Sequence, residues 1–295
     1  MKKWKWYFVV AAVLISLGVW WSLPTGRGSQ TLPAIVTSGY VPYTLVQELS
    51  GGKLAAHMLL PAGAEPHGFE PSPGSLVAVH RARAFVYVSA ELEPWVKDVL
   101  DAAGPQTRVL ELATYVAPGE DPHIWMDFDA VRNMARAIVD LLSELDPESA
   151  PFYRQNLEHF NARIAALDKE FSHTLAACQS REVVHIGHLA FGPLAKRYHL
   201  TLQALAGTSH EGEHAVRKVA DLVKHIRASH VKAVFTEDAV SARLAQAVAA
   251  ETSTELLPLY TVEHLTKKEF AQQISYEDFM RRNLESLQRG LACRK

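Results

Sequence analysis

A stripe of apolar residues runs through the middle of the chain at steps of three and four positions. It consists of Tyr153, Leu157, Phe160, Ile164, Leu167, Phe171 and Leu175. Steps of this size place side chains on one face of an α-helix. Asp146, followed by Pro147, is typical of a helix start, so the pattern predicts a single helix over 146–177, roughly 46 Å long at about 1.5 Å per residue. No second heptad segment accompanies the stripe. We therefore interpret the helix as a rigid link between two domains rather than as part of a coiled coil.

Short apolar runs alternate with amphipathic segments on both sides of this helix. Before it, the predicted strands are 34–37, 54–60, 84–88 and 108–112, and the predicted helices are 43–49, one that starts at 72–73, 94–103 and 130–145. After it, the predicted strands are 182–186, 202–205, 232–236 and 256–260, and the predicted helices are 191–198, 215–229, 242–252 and 276–291. Such alternation favours parallel sheets covered by helices. We expect an α/β protein of two lobes, each a parallel sheet flanked by helices, joined by one long rigid helix.

The domain boundaries follow from this pattern. We expect a signal or membrane anchor with its linker over 1–30, an N-terminal lobe over 31–145, a linking helix over 146–178 and a C-terminal lobe over 179–295. The chain has 295 residues, of which 48 % are hydrophobic. It is therefore long enough for two domains with proper cores.

The N-terminus resembles an export signal. Lys2, Lys3 and Lys5 precede an uncharged run over 6–23, which has tryptophans at both ends. Eighteen residues of this kind can just span a bilayer, and tryptophan is enriched at its interfaces. Only 26–28 faintly resembles a cleavage site, and no cysteine follows to carry a lipid. We expect a periplasmic or cell-surface protein that residues 6–23 tether to the cytoplasmic membrane, with a cleaved signal as the alternative.

Charge and cysteine content narrow the function classes. The formal net charge is −2 and the pI is about 6.7, so the chain lacks the basic footprint of a nucleic-acid-binding protein. Cys178 and Cys293 are its only cysteines. Two thiols are too few for a thiolate metal site, although they can form a disulfide.

Three histidines and two glutamates follow predicted strands. They are His67, His123, His188, Glu237 and Glu263. In open parallel sheets, ligands bind outside the carboxyl ends of the strands, which here face a cleft between two lobes. Imidazoles with a carboxylate and no thiolate suit Zn²⁺ or a similar divalent metal. A shared metal site and ordinary surface histidines are both open interpretations of the spacing alone.

A second pattern points to a different class of protein. His210, Glu211 and His214 match the H-E-x-x-H motif of zinc metallopeptidases, with Glu237 as a candidate third ligand. That motif needs a helix to bring both imidazoles to one face. Gly212 interrupts it, and the apolar residues that would hold such a helix begin only at Val216, so we expect a loop leading into a helix at Ala215. The peptidase is therefore the weaker hypothesis.

Five segments together resemble a known family. They are Pro66-His67-Gly68-Phe69-Glu70-Pro71-Ser72-Pro73, Leu92-Glu93-Pro94-Trp95, Asp121-Pro122-His123-Ile124-Trp125-Met126-Asp127, His188-Leu189-Ala190-Phe191-Gly192 and Val234-Phe235-Thr236-Glu237. In this order, they resemble the zinc/manganese solute-binding receptors of ABC importers, over about 35–291. In that family, two α/β lobes joined by a long rigid helix clamp one metal ion.

The resemblance implies metal ligands at His67, His123 and His188, with the family's carboxylate, often Asp, at Glu263. Water is the alternative fourth ligand. It also implies a metal receptor, not an enzyme, that delivers Zn²⁺, in preference to Mn²⁺, to an ABC permease in the membrane. We expect a monomer. A metal-dependent adhesin on the same fold is the remaining alternative.

Overall fold

Two four-stranded parallel sheets form the framework of the computed structural model, which describes residues 34–119, 121–206, 212–237, 242–263 and 265–294. The strands of the first sheet are β1 (Ile35–Thr37), β2 (Ala56–Met58), β3 (Ala84–Tyr87) and β4 (Arg108–Glu111), in the spatial order β2-β1-β3-β4. The strands of the second sheet are β5 (Glu182–His188), β6 (Thr201–Ala206), β7 (Ala233–Thr236) and β8 (Glu255–Pro258), in the order β6-β5-β7-β8. The two orders are the same, so the two halves repeat one topology, and the α/β prediction of two parallel sheets is confirmed.

Helices connect and cover these strands. In the first half they are α1 (Tyr40–Ser50), α2 (Pro73–Arg81), α3 (Val96–Ala102) and α4 (Phe128–Leu145). The long helix is α5 (Ala150–Ala176). In the second half they are α6 (Gly192–Arg197), α7 (Gly212–Ser229), α8 (Ala242–Thr252), α9 (Lys267–Ala271) and α10 (Tyr276–Gly290).

The long helix starts later than its sequence predicts. Residues Pro147–Ser149 form a separate 3₁₀ turn, and α5 begins at Ala150 with Pro151 in its first turn. A helix starting at Pro147 would place Pro151 against the carbonyl group of Pro147, four residues back, without an N–H to bond it. Asp146 makes no side-chain cap, and its carboxylate accepts a hydrogen bond from the Tyr153 hydroxyl instead. The 27 residues of α5 span about 40 Å.

The apolar stripe of α5 is buried in a core that both sheets share. Its buried side chains are Tyr153, Phe160, Ile164, Leu167, Phe171 and Leu175. The same continuous cluster includes residues of β1 and β3 and residues of β5 and β7, together with apolar side chains from α1, α4 and α10. Separate clusters cover the opposite face of each sheet. The helix is therefore packed along its length, and the sheets cannot swing apart without exposing this core.

Three further elements differ from the sequence prediction. Strand β5 extends to His188, helix α7 begins at Gly212 rather than Ala215, and α9 was not predicted. The helix α9 has only five residues, and Thr266 and Glu269 form a capping box at its start. Its short length explains why periodicity did not reveal it.

A disulfide closes the second half. Cys178, just after α5, is bonded to Cys293, just after α10, and the two residues also pair as an isolated β-bridge. The predicted membrane segment over 6–23 lies outside the described residues. Within the residues described, no helix is both long and apolar enough to span a bilayer.

Candidate metal centre

Four predicted ligands converge between the two sheets. His67, His123, His188 and Glu263 each offer one ligand atom, and these atoms all lie within 4.8 Å of one another. We call this group the inter-sheet cluster. His123 and Glu263 are only 4 % and 5 % exposed, so the cluster is largely shielded from solvent. Three nitrogen ligands and a carboxylate at this spacing can hold a divalent transition metal ion.

His67 lies in the loop that follows β2. Its Nδ1 is 2.9 Å from the carbonyl oxygen of Leu92. The Glu65 carboxylate accepts hydrogen bonds from the backbone N–H groups of His67 and Gly68, and the Trp95 indole donates to the Pro66 carbonyl. The side chains of the loop therefore fix its backbone on both sides of the histidine.

The residue after Leu92 braces the segment whose carbonyl group contacts His67. Glu93 is buried, and its Oε2 accepts a hydrogen bond from the backbone N–H of Val88 at 2.9 Å. Burial raises the pKa of Glu93 to about 7, although the hydrogen bond from Val88 opposes the shift. The segment that carries Leu92 is thereby tied to the end of β3.

His123 lies just before a short 3₁₀ turn, Ile124–Met126, that leads into α4. Asp121, two residues earlier, accepts hydrogen bonds from both the backbone N–H and Nδ1 of His123, at 3.0 and 2.8 Å. The Trp125 ring packs edge-on against the imidazole, with the ring centroids 5.3 Å apart. Because Nδ1 faces Asp121, Nε2 faces the cluster.

His188 is the last residue of β5. Glu237, which follows the adjacent strand β7, accepts hydrogen bonds from the backbone N–H and Nδ1 of His188, at 3.1 and 3.0 Å. On the other edge of the ring, Nε2 is 2.8 Å from Glu263 Oε1 and 3.2 Å from His123 Nε2.

The carboxylates control the charge of His188. Burial opposes protonation, but hydrogen bonds to Glu237 and Glu263 outweigh it and raise the pKa of His188 to about 10. Burial also works against ionisation of Glu237, yet its hydrogen bonds with His188 hold the pKa of that carboxyl below its ordinary value. In the metal-free protein at neutral pH, a protonated His188 therefore lies between two carboxylates.

Glu263 follows β8 and completes the cluster. Its Oε2 is 3.7 Å from His123 Nε2. Val262, the residue before it, has a φ of 66°, which is unfavourable for a β-branched side chain, and it is buried. The packing around Val262 thus holds the backbone in a strained conformation next to the carboxylate.

The residues of the peptidase motif are only partly described. His210 and Glu211 lie outside the described residues, and His214 falls within α7. Glu237, the candidate third ligand of that motif, is bonded to His188. The structure therefore places Glu237 beside His188 of the inter-sheet cluster.

Sequence reasoning missed the groups that hold the ligand rings. Asp121 lies in one of the five family-like segments and Glu237 follows a predicted strand, but the sequence interpretation assigned this role to neither. The signals were present, because Asp121 is two residues before His123 and β5 and β7 are predicted strands whose carboxyl ends meet at one sheet edge.

Comparison with known proteins gives a consistent result. The profile of the family described as zinc-uptake complex component A, periplasmic (ZnuA), matches residues 35–290. The high-affinity zinc uptake system protein ZnuA of Bacillus subtilis (strain 168) is 27 % identical over 315 aligned positions, which cover 98 % of each chain.

Two solved structures share the fold. The Zn(II)-bound ZnuA-like domain of Streptococcus pneumoniae AdcA is 25 % identical with a TM-score of 0.78, covering 88 % of this chain and 98 % of its own. The laminin-binding protein Lmb of Streptococcus agalactiae, a bifunctional protein with adhesin and metal-transporting activity, is 29 % identical with a TM-score of 0.77. The match to Lmb covers 88 % of this chain and 99 % of Lmb.

Proposed function

Because this chain belongs to the family of periplasmic zinc-uptake complex component A, we propose that the inter-sheet cluster is the site at which it holds one Zn²⁺ ion. The protein is a solute-binding receptor of an ABC zinc uptake system, not an enzyme. Its cargo is the metal ion, and its partner is the membrane transporter that receives it. The observation that supports the ligand set most strongly is the convergence of four predicted ligand atoms, drawn from both sheets, within 4.8 Å.

The donor set favours zinc over manganese. Three imidazole nitrogens and one carboxylate suit a low-coordinate site, whereas Mn²⁺ prefers more oxygen ligands. The Irving–Williams order points in the same direction. We propose Glu263, rather than water, as the fourth ligand, since its carboxylate already lies 2.8 Å from His188 Nε2.

We further propose the oligomeric state, the lobes and the membrane attachment of the chain. The chain acts as a monomer with one zinc ion, its lobes are 31–145 and 179–295, and 146–178 links them. One sheet falls within each of these two ranges. Residues 6–23 tether the protein to the membrane, as their composition indicates. The two alternative functions, a metal-dependent adhesin and a zinc metallopeptidase, are not favoured. The adhesin activity is that of Lmb, and the family is not one of peptidases.

Calorimetric titration with Zn²⁺ tests the ligand set. The unaltered chain is expected to bind one zinc ion, and His123→Ala is expected to lose more affinity than the ten- to hundredfold that is typical of losing an outer-sphere partner. His225→Ala is the matched control, because His225 pairs with Glu182 outside the cluster. A folded His123→Ala variant with unchanged zinc affinity would overturn the site.

A further inference from the structure

Glu237 is a buried carboxylate that the ligand set does not use. It directly follows β7 and is 9 % exposed. One oxygen, Oε1, accepts both hydrogen bonds from His188, at the backbone N–H and at Nδ1. The other oxygen, Oε2, has no hydrogen-bond partner among the described residues. Among the residues that the structure describes, His188 is therefore the hydrogen-bond partner of this carboxylate.

The position of Glu237 excludes it as a ligand of the same metal ion. Its Oε1 is bonded to the Nδ1 edge of the imidazole, while Nε2, on the opposite edge, faces His123 and Glu263. A carboxylate at Nδ1 fixes the tautomer and the orientation of a metal-binding imidazole and makes its other nitrogen a better ligand.

A glycine makes room for this carboxylate. A Cβ atom added at Gly187 would lie 2.5 Å from Glu237 Oε1 and 2.5 Å from Cε1 of His185. Real Cβ atoms do not approach so closely, and both neighbours are buried, so neither can move away freely. The residue before His188 must therefore lack a side chain for Glu237 to reach the imidazole.

The support for His188 differs from that of the other two histidines. His123 is held by Asp121, two residues away, and His67 by the backbone carbonyl of Leu92. Glu237 is 49 residues from His188 and belongs to a different strand. Its side chain can therefore be changed without altering the segment that carries the ligand.

We propose that Glu237 is the positioning residue for His188, and that Gly187 provides the space it needs. Glu237 holds the ring with Nδ1 protonated and Nε2 directed at the metal. This inference rests on the proposed function, since it assumes that His188 is a ligand. It assigns a role to a residue that is neither a ligand nor part of the hydrophobic core.

Three variants separate geometry from charge. Glu237→Gln keeps an acceptor oxygen but removes the charge, so its zinc affinity is expected to fall by less than about tenfold. Glu237→Ala removes the acceptor and is expected to lose the ten- to hundredfold typical of an outer-sphere partner. Gly187→Ala is expected to behave like Glu237→Ala, because the added methyl group displaces the carboxylate. Glu182→Gln, at the His225 pair outside the cluster, should leave zinc affinity unchanged.

Nuclear magnetic resonance of the metal-free protein gives a readout independent of zinc. In the unaltered chain, the His188 side chain, assigned by its absence from His188→Ala, is expected to show a slowly exchanging Nδ1–H. Glu237→Gln should keep this signal and Glu237→Ala should lose it. A signal and zinc affinity both unchanged in Glu237→Ala would overturn the proposal, as would the absence of the signal from the unaltered chain.

The same variants show whether a negative result refutes the proposed ligand set or only the positioning role of Glu237. If His188→Ala does not weaken zinc binding, the proposed ligand set is wrong. If His188→Ala weakens binding and Glu237→Ala does not, only the positioning role is wrong. Should Glu237→Ala not fold, the Nδ1–H signal of the unaltered chain and the smaller effect of Glu237→Gln decide the question.

Discussion

The indole Nε1 of Trp125 donates a hydrogen bond to the carbonyl oxygen of Thr261 at 2.7 Å. Trp125 follows His123 by two residues, and Thr261 precedes Glu263 by two. A second bond runs in the opposite direction, from the buried Tyr276 hydroxyl to the Trp125 carbonyl oxygen at 2.7 Å. One buried tryptophan thus links the segment of His123, beside the first sheet, to the segment of Glu263, beside the second.

Trp125→Phe should weaken zinc binding by loosening this link. Phenylalanine keeps most of the ring packing but cannot donate to Thr261, whose buried carbonyl loses its partner. Such a loss typically destabilises a protein by about 1–3 kcal/mol. We expect zinc affinity to fall several-fold, about tenfold at most, in a chelator competition titration, together with a lower free energy of unfolding in urea.

Tyr153→Phe is the matched control for Trp125. It removes the hydrogen bond of a buried aromatic residue to Asp146, but away from the inter-sheet cluster. It should lower stability and leave zinc affinity unchanged. Equal zinc affinities for Trp125→Phe and the unaltered chain would show that the link does not position the ligands.

Zinc affinity should rise with pH well above neutrality. Zinc must displace the proton of His188, whose pKa is raised to about 10. The sequence alone predicts a nearly flat affinity above roughly pH 7.5, because it assigns ordinary imidazole pKa values of about 6.5. With one proton to displace, affinity should instead rise by up to about tenfold per pH unit between pH 7 and pH 10.

Calorimetry in two buffers of different ionisation enthalpy checks this pH dependence, with about one proton released per zinc ion expected at pH 8.

The stability of the metal-free protein should change with pH in the opposite direction to its zinc affinity. A folded-state pKa above the unfolded value stabilises the fold fully below about pH 6.5, and this contribution is lost as pH rises through about 10. The increase in Tm caused by zinc should therefore grow with pH. Zinc binding at pH 8 without proton release would contradict the charge state assigned to His188.

His185 should make the metal-free protein sensitive to acid. It is fully buried, neither ring nitrogen has a hydrogen-bond partner among the described residues, and burial lowers the pKa to about 4. Because the folded pKa lies below the unfolded one, the stabilisation is present above about pH 6.5 and is lost as pH falls through 4.

His185→Phe should remove that sensitivity. Its ring can pack against Phe191 as the imidazole does, at a centroid distance of 4.9 Å. We expect the loss of unfolding free energy between pH 7 and pH 4.5, measured in urea without metal, to shrink by about 2–3 kcal/mol, at 1.36 kcal/mol per pKa unit. An unchanged difference would mean that His185 takes up its proton over the same pH range in the folded and the unfolded chain.

Arg197 should stabilise the packing of the two halves. Its guanidinium group bonds both oxygens of Asp168 on α5 and also reaches Asp127 and Asp129 at the start of α4. Breaking a buried ion pair costs about 3–5 kcal/mol, and because these groups are partly exposed we expect about 1–3 kcal/mol for Arg197→Met in urea unfolding.

Arg132→Met provides the comparison. Arg132 pairs with Asp129 on one exposed helix turn and should contribute less than about 0.5 kcal/mol. Similar effects for the two arginines would indicate that Arg197 is only a surface charge.

The alternation of strands and helices was sufficient to predict the architecture. Each strand predicted within 34–260 is present, because the short apolar runs differ in length and period from the longer helical stripes. The predicted start of α5 was wrong because the helix-start signal at Pro147 was used and Pro151, which cannot continue a helix from Pro147, was overlooked.

The convergence of the proposed ligands could be predicted from the sequence, whereas the groups that support them could not. His67, His123 and His188 stand in motifs that a reader of the sequence can find. The partner of His67 is a backbone carbonyl, which carries no sequence signal at all. Glu237 reaches His188 only because β5 and β7 are neighbours, and strand order is a property of the whole sheet.

The disulfide between Cys178 and Cys293 makes the second half of the protein a covalent ring. Every element from β5 to α10 lies inside it, including His188 and Glu263, while His67 and His123 lie outside. A protease that cuts the backbone once anywhere within the ring therefore cannot release a fragment. The nicked chain would keep its full mass under oxidising conditions and separate only after reduction, so a receptor exposed to proteases could be cut in this half without shedding half of its proposed metal site.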